Sequence, residues 1–276
     1  MIDAHQHFWR VDRGEYGWLT AQDHPLICRD FGPEDLAPLM HEAGVERTVL
    51  VQAAPSLAET DFLLEIARRA PFVAGVVGWA DFAAANAPRV IERLAGSPKL
   101  LGLRPMLQDL DDDAWILRPD VQPALDAMAA AGLAFDALVK PRHLPHLSVL
   151  LGRRPDLRVV IDHGAKPDIA HRDLDEWASQ MRVIGRETGA LCKLSGLVTE
   201  AAPGWTAEDL KPFVEVLLEA FGPTRLMWGS DWPVVNEAGG YGAWLGAADA
   251  LTAQLSQGER TQVFGEVATA FYGLQP

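Results

Sequence analysis

Apolar residues fall along this chain in eight short runs, each bounded by turn-forming residues and followed by a longer stretch of helical period. The runs cover residues 2–4, 48–52, 73–78, 100–104, 134–139, 158–162, 191–194 and 225–228. Several are apolar throughout rather than alternating, as in parallel strands covered by helices. The stretches between them carry recognisable helix ends. Pro33 stands at a first helical position, and Gly44 at the matching stop. Ser56 with Glu59 predicts a capping box, and Asp173 with Glu176 a looser acidic one. Gly96, Gly132, Gly152, Gly189 and Gly222 each follow a helical stretch, where a left-handed residue is wanted. Beyond the eighth run, helices are expected over 241–255 and 259–271.

Eight strand–helix units in roughly 250 residues match the size of a closed (β/α)8 TIM barrel. The alternative is an open doubly wound sheet, but no Gly-rich phosphate fingerprint follows the first run. Without repeats, low-complexity tracts or linkers, residues 1–276 read as one domain. Hydrophobic residues make up 49% of the chain, enough for a sizeable core. Lys and Arg number 24 against 38 Asp and Glu, a net charge of −14, which argues against nucleic acid and anionic membranes as partners. Any anionic substrate would need local Arg or Lys. Two distant cysteines, Cys28 and Cys192, predict no disulfide framework, and the absence of a leader or membrane-length run predicts a cytoplasmic protein. Oligomeric state leaves no signal.

In such a barrel the active site lies at the C-terminal strand ends, and the polar residues collect there. His5 and His7 end the first run. Residues i and i+2 of a strand share a side, so the two imidazoles project together and can hold a divalent cation or polarise an oxygen. Gln52 ends the second run, Trp79 and Asp81 follow the third, and Arg104 ends the fourth. His163 follows the sixth in Ile-Asp-His-Gly-Ala-Lys-Pro, a segment that also contains Lys166. Lys193 and Ser195 belong to the seventh, and Asp231 and Trp232 follow the eighth in Trp-Gly-Ser-Asp-Trp-Pro. Arg104 can also pair with an interior carboxylate such as Asp136. Asp162, next to His163, is expected to point away and tie down backbone. The loop 8–31, with Trp9, Tyr16, Trp18 and His24, is long enough to be a lid. The acidic run 109–113 reads as a solvated turn, with Trp115 folding back over the pocket.

The opening Ile-Asp-Ala-His-Gln-His, the His-Gly-Ala-Lys-Pro at 163–167 and the late Trp-Gly-Ser-Asp-Trp-Pro together resemble the amidohydrolase superfamily. The three motifs in combination are similar to its sugar-lactonase branch, the L-fuconolactonase- and L-rhamnonolactonase-like proteins. The resemblance implies a (β/α)8 barrel that opens an aldono- or aldarolactone to its acid in carbohydrate metabolism. On that basis Asp231 is the expected general base. Arg104 and His163 would meet the developing oxyanion, and His5 and His7 would orient water or stabilise charge. Lys166, Lys193, Trp232, Trp79, Gln52, Trp18 and His24 are the expected substrate contacts. Binuclear members of the superfamily carry a bridging lysine and a further histidine. Here the fifth run offers Asp136 and the seventh Lys193, so a two-metal site is not expected. One optional divalent metal, Zn2+ first, would sit on His5, His7, His163 and Asp231. A metal-dependent decarboxylase of the same superfamily and a non-catalytic sugar-acid binding barrel are the competing readings.

Overall fold

The computed structural model describes residues 1–274. Strand β1 (Ile2–Gln6) pairs in parallel with β2 (Arg47–Val51). The sheet continues through β3 (Val73–Gly78), β4 (Leu100–Leu103), β5 (Ala134–Ala137), β6 (Arg158–Ile161), β7 (Leu191–Leu194) and β8 (Leu226–Trp228), all parallel and in chain order. Backbone just beyond β8 closes the seam. The His7 amide donates to the Trp232 carbonyl at 2.7 Å, and the Asp231 amide to the His5 carbonyl at 2.8 Å. The result is the expected (β/α)8 barrel.

Helices follow the strands: α1 (Pro33–Ala43), α2 (Leu57–Arg69), α3 (Ala87–Ala95), α4 (Gln122–Ala131), α5 (Leu144–Arg153), α6 (Asp175–Glu187), α7 (Ala207–Phe221) and α8 (Tyr241–Leu251). Their apolar stripes cover the outside of the sheet, so strand residues are buried on both faces and period-two alternation disappears. Inside the barrel, Ala4, Val49, Val51, Val77, Val160 and Met227 form a second apolar cluster, which Phe271 and Tyr272 close from below. Each large side chain so buried contributes about 1.5–3 kcal/mol.

Four local expectations are corrected. Ser56 caps α2 by accepting from the Glu59 amide at 2.9 Å, but the Glu59 carboxylate turns instead to the amides of Ala53 and Ala54. The Asp173–Glu176 box does not form, because α6 begins at Asp175 after an uncapped Leu174. Of the five stop glycines, Gly132 and Gly222 take a positive φ, whereas Gly96 stays right-handed and Gly152 lies within α5. The final helix divides into α9 (Gln257–Thr261) and α10 (Val267–Tyr272) around a wide turn where Gly265 leaves helical geometry.

The loop 8–31 is pinned at its base, where Trp9 and Phe31 exchange backbone hydrogen bonds. Its tip is tied to the barrel rim. Trp18 Nε1 donates to the Ala53 carbonyl at 2.8 Å, and His24 Nδ1 lies 2.8 Å from Glu237 Oε2. Among the described residues, no helix is long and apolar enough to cross a membrane.

Candidate active site

Three imidazoles converge on one carboxylate oxygen at the C-terminal end of the barrel. The Nε2 atoms of His7, His5 and His163 lie 3.2, 3.8 and 3.9 Å from Asp231 Oδ1. His5 and His7 arrive from β1 and the residue just beyond it, with ring centroids 4.9 Å apart. Asp231 and His163 reach the same point on left-handed backbone, at φ 58° and φ 55°. Around His163 that geometry persists through Gly164, Ala165 and Lys166. It costs about 1–2 kcal/mol per non-glycine residue and must be held by its surroundings. Trp177 Nε1 donates to the Gly164 carbonyl at 2.7 Å, and His163 Nδ1 hydrogen-bonds Ser195 Oγ at 2.9 Å. Gly196 is required beside the ring, since a Cβ there would lie 2.4 Å from His163 Nδ1.

Beneath this layer lies a fully buried set of charges. Lys193 Nζ stands 2.6 Å from Asp136, 3.0 Å from Asp162 and 3.1 Å from His5 Nδ1. Tyr272 donates to Asp136 at 2.7 Å. Arg104 reaches Asp162 at 3.2 Å and His5 Nε2 at 3.3 Å, and also donates to the Gln52 carbonyl. Burial, then Lys193, hold the His5 imidazole well below its ordinary pKa, so it is neutral. Burial likewise brings His163 down to about 4. Burial works to raise Asp231, but its interactions with His163, His7 and His5 outweigh it and hold the carboxyl well below the usual carboxylate range, so it is ionised.

Neutral imidazoles around an ionised carboxylate form a donor set suited to a divalent cation. One atom each from His5, His163 and Asp231 falls within 4.8 Å of the others. Zinc bonds of about 2.0–2.2 Å require ligand atoms spaced by little more than 3 Å, near the distances seen here. His5, His163 and Asp231, with His7 beside them, therefore fit such an ion.

The sequence matches the amidohydrolase family over residues 2–274. The chain belongs to the amidohydrolase family. It is 48% identical to an L-fucono-1,5-lactonase of Burkholderia ambifaria over 275 residues, covering 98% of this chain and 94% of that one. A second L-fucono-1,5-lactonase, from Burkholderia multivorans, is 37% identical across 99% of this chain and 96% of its own. The crystal structure of an amidohydrolase from Burkholderia multivorans with bound zinc superposes with a TM-score of 0.93, at 37% identity and 99% coverage of both chains.

Above the histidines of this amidohydrolase opens a cavity of about 340 Å³. His7, His163, Asp231, Arg104, Lys166, Trp18 and His24 all line it. Four expected substrate contacts stand elsewhere. Lys193 is fully buried under His5, its ammonium enclosed by two carboxylates, and cannot touch a ligand. Gln52 is buried and donates to the Arg104 carbonyl at 2.8 Å, so it positions the arginine instead. Trp232 packs edge-on against Phe8 and Phe31, away from the opening. Trp79 lies outside the cavity wall, its amide bound to Thr60. His5 sits just below the floor, fully buried. Asp162 points inward to Arg104 and Lys193, because the strand ends at Ile161 and alternation stops there. The partner of Arg104 is thus Asp162 and not Asp136. Trp115 packs towards Phe82 and does not roof the site. Asp109, expected in a solvated turn, lines the wall, as do two acids that the sequence did not single out, Glu200 and Glu237. Their one advance signal was their location in loops that follow strands.

Proposed function

We propose that this amidohydrolase is a carboxylic-ester hydrolase that opens a six-membered sugar lactone, L-fucono-1,5-lactone or a close stereochemical relative, to the free aldonate. The convergence of His5, His7 and His163 on Asp231 at the floor of a small cavity carries this reading, and the two lactonase relatives support it.

Ester hydrolysis needs an activated water, a polarised carbonyl and a proton for the leaving alkoxide. Asp231, ionised and exposed to the cavity, accepts the proton of an attacking water and returns it to the departing alkoxide as the ring C–O bond breaks. His7 stands beside that carboxylate with its ring fixed, because its Nδ1 is committed to the Val51 carbonyl at 2.8 Å. Arg104, held by Asp162 and Gln52, presents positive charge where the oxyanion develops, a contribution of about 3 kcal/mol for a well-placed donor. His163 is neutral at physiological pH and offers Nε2 towards the reacting group. A divalent cation on His5, His163 and Asp231 would supply Lewis acidity to the carbonyl or the water. Trp18 and His24 from the loop 8–31 cover the sugar.

The test is a pH-indicator screen of aldono- and aldarolactones. Acid release from L-fucono-1,5-lactone or a stereoisomer is expected. An inert lactone panel, with turnover of an aromatic carboxylic acid instead, would replace hydrolysis with decarboxylation.

A further inference from the structure

Arg104, Lys166 and His24, which reach the cavity wall, each already stand beside a carboxylate. Arg104 is held by Asp162. Lys166 Nζ lies 3.3 Å from Glu200 Oε1, across from the loop after β6 to the loop after β7. His24 Nδ1 lies 2.8 Å from Glu237 Oε2, joining the loop 8–31 to the loop after β8. With Asp109 and Asp231 the wall holds four carboxylates against Arg104 and Lys166. A ligand carboxylate entering here finds no unmatched cation among the described residues. It must break a pair, or stand beside carboxylates in a confined space where like charges repel strongly. A neutral polyol meets no such cost. Its hydroxyls accept from Lys166 and donate to Glu200 without separating them.

We propose that Glu200 and Glu237 are specificity-determining residues: by occupying Lys166 and His24 they admit neutral aldonolactones and turn away lactones that carry a carboxylate. This rests on the lactone-hydrolase reading above and narrows its substrate class to the uncharged members. Glu200 acts by withholding the Lys166 ammonium, so its removal hands an anionic ligand a free partner.

The experiment compares L-fucono-1,5-lactone with the lactone carrying a carboxylate in place of its methyl group. Wild type should favour the neutral lactone in kcat/KM. In Glu200→Gln the anionic-to-neutral ratio should rise at least tenfold, and adding Lys166→Met should take that gain away. A ratio unmoved in folded Glu200→Gln, or a gain that survives without Lys166, overturns the proposal. Should Glu200→Gln fail to fold, Glu237→Gln makes the same comparison at His24. Calorimetric titration with the two corresponding lactams separates recognition from turnover, because these have no ester to cleave. Inert lactones with intact discrimination between the lactams would defeat the hydrolase reading alone. Brisk hydrolysis of the neutral lactone, with equal affinity for both lactams, would defeat the specificity assignment alone.

Discussion

His7 donates its Nδ1 proton to the Val51 carbonyl, 2.8 Å away, and this fixes what its other nitrogen can do. In the neutral ring Nε2 then carries a lone pair, directed at Asp231 Oδ1 across 3.2 Å. Two electron-rich atoms hold that separation favourably when a proton or a cation lies between them. With one such focus, and Lys193 in the place of a further ligand, the protein should bind no more than one transition-metal ion per chain, Zn2+ first. Elemental analysis returning two equivalents, both needed for activity, would exclude the single-site geometry.

Asp231→Asn should lower kcat/KM by roughly a hundred- to ten-thousand-fold, the usual cost of losing a positioned general base. Asparagine tolerates the left-handed backbone at this position, where φ is 58°, and keeps the side-chain volume. The thermal midpoint should therefore stay within a few degrees of wild type. Turnover near the wild-type rate in the folded variant would move the base elsewhere, with His163 next in line.

Lys193→Met should act on stability. It leaves Asp136 and Asp162 buried without the ammonium that lies between them. Breaking a buried ion pair from one side costs about 3–5 kcal/mol. The urea midpoint should fall accordingly. A raised KM for the lactone with an unchanged midpoint would instead return Lys193 to the substrate.

Glu59 supplies a pH dependence of known sign. Burial raises its pKa from 4.5 to about 7, against the opposing amides of Ala54 and Ala53. A carboxyl whose folded pKa is raised favours the folded state most below its unfolded value, and that favour disappears as pH climbs through about 7. Relative to Glu59→Gln, wild type should therefore gain stability between pH 8 and pH 5. Melting curves of both proteins across that range provide the check, and a relative gain in the alkaline direction would refute the assignment.

The strands were legible because burial on both faces makes each one apolar throughout, and the site was legible because polar residues cluster where those runs end. Depth was not. Lys193 and Arg104 both read as strand-end cations, yet the ammonium lies below His5 while the guanidinium reaches the cavity. Period-two alternation also misplaced Asp162, since it assumes extended backbone through residue 163, where the chain turns left-handed. Glu200 and Glu237 did not stand out in the sequence, because their meaning comes from pairing partners 34 and 213 residues away.

The acidic wall has a consequence in time as well as in choice. A sugar lactone enters uncharged, but opening its ring creates a carboxylate inside a chamber already lined by Asp109, Glu200 and Glu237. The reaction itself thus changes how the chamber regards its occupant, from tolerated guest to repelled anion. Departure of the acid is then built into the same residues that select the lactone, and accumulating aldonate should compete poorly with fresh substrate.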